Sequence, residues 1–315
     1  VIGYYLHNLD PVIFRLWGDF GPRWYGLAYA LAFFSALVVM TWTAKRRYLE
    51  LPPSRVGDFV TWGALLGVLL GGRLGYVFFY HPEMLLDPLS IVRVWEGGMS
   101  SHGGIFGLIA VTFYYSWRHN IGWTNLGDNV VVSAPLGLFF GRCANFINGE
   151  LYGRITNVPW AMQFPKELLE DPNSVEADRA LAACRQIDPS IVSPEDIIHA
   201  LRHNPQIAAA LRGIIMPRHP SQLYEAFLEG VVLFTILWLV RTRMRQPNGV
   251  LTGLFFACYG IFRIFAECYR EPDAPMIGAF TRGQFFSFFL VAIGAAFIWF
   301  AKRTPEYAPA LQHRD

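Results

Sequence analysis

Seven stretches of this 315-residue chain are apolar over the length needed to cross a lipid bilayer, and that pattern leaves a bundle of transmembrane helices as the fold. Trp24 to Thr43 carries no charge. Phe59 to Tyr80, Met99 to Trp117, Leu126 to Phe146, Gln222 to Val240, Val250 to Tyr269 and Gln284 to Ala301 are similar but hold a few ionisable groups. The third stretch opens on polar residues, and the fourth contains Pro135 and Arg142. Charged residues make up 16% of the chain, against about 25% in ordinary soluble domains. The expected fold is all-α: a polytopic membrane protein of seven transmembrane helices with a small extracytoplasmic helical cap.

Short loops rich in Lys and Arg stay on the cytoplasmic side, which sets the orientation. Lys45, Arg46, Arg47, Arg55, Arg118, Arg241, Arg243, Arg245, Lys302 and Arg303 fall on one side; Arg15, Arg23, Arg93, Arg270 and Arg282 fall on the other. Seven spans with that bias place the N-terminus outside and the C-terminus in the cytoplasm. The first span is too long, too uniformly apolar and too poorly flanked to be a cleaved signal peptide. Because the chain begins at Val1, a few preceding residues are expected to be missing.

The organisation follows: residues 1–150 carry spans one to four, 151–221 the cap, 222–303 spans five to seven, and 304–315 a cytoplasmic tail that reads as disordered. Prolines from Pro165 to Pro220 punctuate two short helical patterns in the cap. No internal repeat of the transporter kind is visible.

Three polar constellations interrupt the apolar stretches. Residues 141 to 153, Gly-Arg-Cys-Ala-Asn-Phe-Ile-Asn-Gly-Glu-Leu-Tyr-Gly, put Arg142, Asn145, Asn148 and Glu150 at the end of the fourth span. An arginine within a bilayer costs about 2.5–3.5 kcal/mol on insertion scales, so its default role is in a polar cavity or against an anion. On the sixth span Tyr259, Arg263 and Glu267, spaced i, i+4 and i+8, share one helix face, where Arg263 can pair with Glu267. A buried ion pair that only locks two helices is the plainer role. Arg142, at the same outer leaflet, favours a clamp instead, since two guanidinium forks match the oxygens of a phosphate.

The third constellation is Ser100-Ser101-His102-Gly103-Gly104, preceded by Glu96-Gly97-Gly98. Histidine, with an unperturbed pKa of about 6.5, accepts a proton near neutral pH. Glycines such as Gly104 clear space for a lipid or a peptide backbone. A helix cap or packing element is the plainer role for such a histidine. Tyr25, after Arg23 and Trp24, would by itself be an aromatic-belt residue. Asp128 reads as a helix N-terminal acid. Glu225 and Glu229, following Arg218 to Tyr224, need partners inside the membrane, and Arg73 is one candidate for either.

The four cysteines, Cys143, Cys184, Cys258 and Cys268, fit no disulfide spacing. Cys143 lies inside the first constellation but has no base at a motif-like offset, and the expectation is an inert thiol. His199 and His203 lack the glutamate of a zinc-protease helix and read as solvated cap surface. Neither a metal, another cofactor nor a nucleic-acid partner is expected.

The run Gly141 to Gly153 resembles the signature of the prolipoprotein diacylglyceryl transferase family: its glycine, arginine, two asparagines, phenylalanine, glutamate and closing glycine are in register. Trp24-Tyr25-Gly26, His102-Gly103-Gly104, Arg218 to Glu225 and the Tyr259, Arg263, Glu267 face resemble that family in order and position. The outer segment from roughly Pro165 to Met216 departs from it.

The resemblance implies a bacterial cytoplasmic-membrane enzyme that moves the diacylglyceryl group of phosphatidylglycerol, a membrane lipid, to the lipobox cysteine of a prolipoprotein signal peptide. A thioether forms and glycerol phosphate leaves. In that chemistry Arg142 and Arg263 hold the phosphate, while Asn145, Asn148 and Tyr25 fix the headgroup. Glu150 and Glu267 orient the arginines, and Gly104, Gly153 and Tyr259 complete the substrate-binding set. His102 is the natural base for a thiol; the alternative is that it positions lipid while a carboxylate, water or the phosphate takes the proton. The rival class is a transporter or flippase that binds an anionic lipid. A metal-dependent alcohol phosphotransferase would need aspartates that the spans lack.

Overall fold

A computed structural model of the chain describes residues 3–18, 21–93, 97–272 and 275–312. Glu96, in the run before His102, lies outside them. The long helices α1 (Trp24–Lys45), α2 (Pro53–Tyr80), α3 (Ser101–His119) and α4 (Trp123–Asn148) come first. Then come the shorter α5 (Val175–Ile187), α6 (Pro194–Leu201) and α7 (Pro205–Arg212), followed by the long α8 (Ser221–Arg243), α9 (Val250–Glu267) and α10 (Arg282–Arg303).

Among the described residues six helices, α1, α2, α4, α8, α9 and α10, are long and apolar enough to cross a membrane. The chain is therefore a mostly helical, multi-pass membrane protein. The α3 helix has the length but opens on Ser101 and His102 and carries Thr112, Ser116, Arg118 and His119, which dilute its apolar character. Pro135 does not break α4. Two helices widen into π-helical turns, α2 over Gly63–Leu70 and α8 over Ala226–Val232. Such turns recur at functional sites and have no hydropathy signal.

The chain divides into two compact units, each built from separate segments. One comprises residues 1–31, 137–233 and 258–291. Within it, strand β1 (Tyr5–Leu6) runs parallel to β2 (Met162–Gln163), which pairs antiparallel with β3 (Pro217–Arg218). The three short helices α5, α6 and α7, one more than the sequence pattern suggests, bury Cys184, Ile197, Ile207 and Leu211 in a common core. Each begins at a side-chain cap, on Ser174, Ser193 and Asn204, and α6 and α7 then take proline at their first position. His199 and His203 are exposed.

The other unit comprises residues 32–136, 234–257 and 292–315. Here α2 and α3 touch backbone to backbone: a Cβ on Gly75 would stand 2.6 Å from the Cα of Gly103, and one on Gly71 would stand 2.9 Å from the Cα of Gly107. Gly103 thus serves helix packing, of the small-residue kind that membranes favour. Asp128 is buried and accepts from Gly249 N (2.9 Å), Thr252 N (2.8 Å) and Thr252 Oγ1 (2.7 Å). It therefore caps the start of α9 rather than its own helix, placing a negative charge at the positive end of the α9 dipole.

The tail departs from the expected disorder over residues 304–312. Ala308 and Leu311 are buried against Tyr48, and Ala310 N donates to Arg47 O at 2.9 Å.

Candidate functional site

The residues of the first and second constellations meet within the unit that contains both, through carboxylates supplied by α8. Arg142 on α4 donates from Nε (3.4 Å) and Nη2 (3.2 Å) to Glu229 Oε2, and its Nε also forms an ion pair with Glu225 Oε2 (2.8 Å). Arg263 on α9 donates from Nη1 to Glu225 Oε1 (2.8 Å) and pairs through Nη2 with Glu267 Oε1 (2.5 Å). Arg270, just past α9, reaches Glu225 Oε1 at 3.2 Å. Among the described residues three guanidiniums and three carboxylates thus form one cluster in which the formal charges balance. Burying so many charges is tolerable only when each is paired.

Local structure explains the convergence. Gly230, in the π-helical turn of α8, faces Phe139 of α4, where a Cβ would stand 2.6 Å from the Phe139 Cβ. That close approach brings Glu229 to Arg142, one helical turn further along α4. The expected Arg263–Glu267 pair forms, and Thr281 Oγ1 donates to Glu267 Oε2 at 2.8 Å. Half-buried Tyr259 lies in the field of Glu229, Arg263 and Arg142.

Glu225 and Glu229 side chains are fully buried, while Arg142 and Arg263 keep 17% and 14% of their side-chain surface exposed. Among the described residues the Arg142 Nη1 makes no hydrogen bond, leaving it available to an incoming oxygen.

Tyr25, Asn145, Asn148 and Glu150 form a second polar group beside this cluster. Tyr25 donates its hydroxyl proton to Glu150 Oε1, Asn145 Nδ2 reaches the same oxygen at 3.0 Å and the Tyr25 oxygen more closely still, and Asn148 Nδ2 lies 3.5 Å from Glu150 Oε2. Glu150 therefore orients Tyr25 and Asn145, not the arginines as the resemblance implies. The turn after α4 passes through left-handed backbone at Gly149 (φ 66°) and Leu151 (φ 57°). It is held from the start of α8, where Gln222 Nε2 donates to Glu150 O (2.6 Å) and Ser221 Oγ to Leu151 O (2.9 Å).

Gly153 is set by close approach as well: its N–H donates to His219 O at 2.8 Å, and a Cβ would stand 2.6 Å from the His219 Cβ. Arg218 pairs with Glu167 (2.6 Å) and Glu271 (3.1 Å) over the face of Tyr152. Burial holds the His219 imidazole below its ordinary pKa.

His102 and Gly104 belong to the other unit. His102 is exposed on the first turn of α3; Gly104 is buried, facing Val68 of α2. Arg73 pairs with neither glutamate of α8: its guanidinium is filled by backbone carbonyls between Ser90 and Gly98.

Two contributors carried no readable signal. Arg270 stands outside the apolar stretches and reads as one more loop charge. His7 is buried among Phe146 and Phe164, with Nε2 unpartnered, and burial holds its pKa down to about 4.

The family model for prolipoprotein diacylglyceryl transferase matches residues 11–300. A phosphatidylglycerol–prolipoprotein diacylglyceryl transferase of Coxiella burnetii is 38% identical over 308 residues, covering 96% of this chain and 99% of the relative. Proteins of the same name from Neisseria gonorrhoeae (40% over 300 residues; 91% and 94% covered) and Geobacter sulfurreducens (42% over 291; 91% and 93%) are similar to it as well. The chain belongs to the prolipoprotein diacylglyceryl transferase family. It is accordingly a membrane-embedded transferase.

Proposed function

We propose that the chain transfers the diacylglyceryl group of phosphatidylglycerol to the lipobox cysteine thiol of a prolipoprotein signal peptide. The new bond joins the cysteine sulfur to the glyceryl carbon. The bond from that carbon to the phosphate oxygen breaks, and glycerol phosphate departs with the electron pair. The observation that carries this reading is the convergence of Arg142 and Arg263 on shared carboxylates, each guanidinium still partly exposed. Fixed cationic forks of this kind stabilise the charge that builds on a departing phosphate.

Tyr25, Asn145 and Asn148 are the proposed headgroup contacts, with Glu150 as their orienting acceptor; Gly153 and Tyr259 complete the lipid site, and Gly104 clears space near His102. A thiol with a pKa near 8.5 must lose its proton before the sulfur attacks. His102, exposed at the start of α3, is the proposed acceptor by the chemistry of its imidazole. In this reading α3 is the seventh span, 1–150 and 222–303 form the membrane body, and 151–221 is an extracytoplasmic cap. The N-terminus lies outside and the C-terminus in the cytoplasm of a bacterial inner membrane.

The test uses purified protein in detergent with phosphatidylglycerol and a synthetic lipobox peptide, the product being read as the mass of the diacylglyceryl peptide. Arg142→Ala and Arg263→Ala are expected to insert into the membrane and make no product. Transfer at the wild-type rate by either variant would remove the phosphate clamp.

A further inference from the structure

Arg73 is a buried arginine in the middle of an apolar helix. Its guanidinium is held by carbonyl oxygens. Nε donates to Ile91 O (2.9 Å), Nη2 to Ser90 O (2.6 Å) and Arg93 O (3.3 Å), and Nη1 to Gly98 O (3.0 Å) and Gly97 O. Those five bonds match the five N–H donors that a guanidinium has. The guanidinium also lies 5.7 Å from the centre of the Tyr76 ring.

The acceptors all belong to the stretch that leads into α3. The next fixed points along that stretch also come from α2. Ser100 N donates to Gly72 O at 2.9 Å, Ser100 Oγ accepts from Gly103 N at 3.2 Å, and the backbones of Gly75 and Gly103 are in contact. Residues 72, 73 and 75 of one helix therefore grip the chain on both sides of His102. A helix start can be fixed by its cap and its packing alone. Here a desolvated cation is added, and its bonds go to the approach segment rather than to a carboxylate.

We propose that Arg73 is a positioning residue for His102, setting the approach to α3 so that the imidazole stands at one place. The inference rests on His102 acting as the proton acceptor. A guanidinium spans five carbonyls in a fixed fork, and an ammonium with three donors cannot. Small displacements matter because a catalytic group misplaced by 1 Å loses about a hundredfold in rate.

The experiment compares wild type, Arg73→Lys, His102→Asn and the double variant, all full length in detergent with phosphatidylglycerol and lipobox peptide. Arg73→Lys is expected to lower kcat by about tenfold or more with both KM values unchanged. In the His102→Asn background the same substitution is expected to change the residual rate by less than about twofold, because the two residues act as one unit. A wild-type kcat for Arg73→Lys, or equal losses in both backgrounds, overturns the proposal.

A second readout does not depend on activity: carbethoxylation of His102 by diethyl pyrocarbonate, followed by peptide mass spectrometry against the exposed His199 and His203. Arg73→Lys is expected to change the rate at His102 and leave the other two unchanged. An unchanged rate at His102 overturns positioning. Should His102→Asn transfer at the wild-type rate, the acceptor reading is what fails, and the carbethoxylation result then decides positioning by itself.

Discussion

Glu225 is the carboxylate on which the charge cluster turns, and Glu225→Gln tests that directly. Its two oxygens receive Arg142 at 2.8 Å, Arg263 at 2.8 Å and Arg270 at 3.2 Å, and its side chain has no exposed surface. Glutamine keeps the volume but leaves three guanidiniums on two carboxylates. Removing one partner of a buried pair costs about 3–5 kcal/mol, mostly from the charge left behind. The glutamine carbonyl still accepts one bond from a charged donor, worth about 1.5–3 kcal/mol, so the net loss falls at the low end, about 3 kcal/mol. In a chain of this size that lowers the midpoint of thermal unfolding in detergent by roughly 4–6 °C.

Glu267→Gln is the internal control. Glu267 meets Arg263 and Thr281 Oγ1, and its loss is expected to be smaller, about 1–2 kcal/mol. Because Glu225 is buried, its deficit should persist when salt is raised to 1 M, where exposed ion pairs are screened within about 3 Å. A Glu225→Gln midpoint equal to or above that of Glu267→Gln would refute the view that Glu225 holds the three arginines together.

Two further expectations follow from single side chains. His7, whose folded pKa is about 4 against 6.5 in the unfolded chain, binds its proton more readily when unfolded. Its contribution is therefore complete above pH 6.5, is lost as pH falls from 6.5 to 4, and amounts to an order-of-magnitude 3 kcal/mol. Unfolding midpoints of wild type and His7→Phe between pH 7 and pH 4 check this; parallel curves would show that His7 is not the source. Cys143→Ala should transfer lipid at close to the wild-type rate, since the attacking sulfur belongs to the peptide; an inactive variant in the peptide assay would make Cys143 part of the chemistry.

The membrane helices were legible because hydropathy is a property of contiguous residues. Trp24–Lys45 and Arg282–Arg303 announce themselves, while Ser101–His119 sits at the margin because its hydroxyls and His102 occupy positions that apolar residues would fill in a plain anchor. The pair on one helix, Arg263 with Glu267, was legible for the same reason: i, i+4 spacing is local geometry. Contacts between separated segments were not. Arg270 stands beyond the end of α9, where a cation reads as a loop charge, and only the fold turns it back onto Glu225. Arg73 misled in the opposite way, since an arginine inside an apolar stretch invites a carboxylate partner and finds five carbonyls instead.

The charge balance of the cluster bears on what it can do. Among the described residues three arginines face three glutamates, so on the proposed function the cluster would present no excess charge to a lipid carrying a single negative phosphodiester, and its grip on the bound substrate would be modest. As the carbon–oxygen bond breaks, a second negative charge develops on the phosphate. On the proposed function, donors already held in place, such as the Arg142 Nη1, which makes no hydrogen bond among the described residues, would meet that charge without reorganising. An interaction that strengthens only as charge develops accelerates the reaction, whereas a cluster of bare arginines would bind the lipid and the departing phosphate alike. On that reading the glutamates of α8 do more than neutralise their partners: they hold the arginines fixed and would keep the site from gripping its substrate as tightly as its transition state.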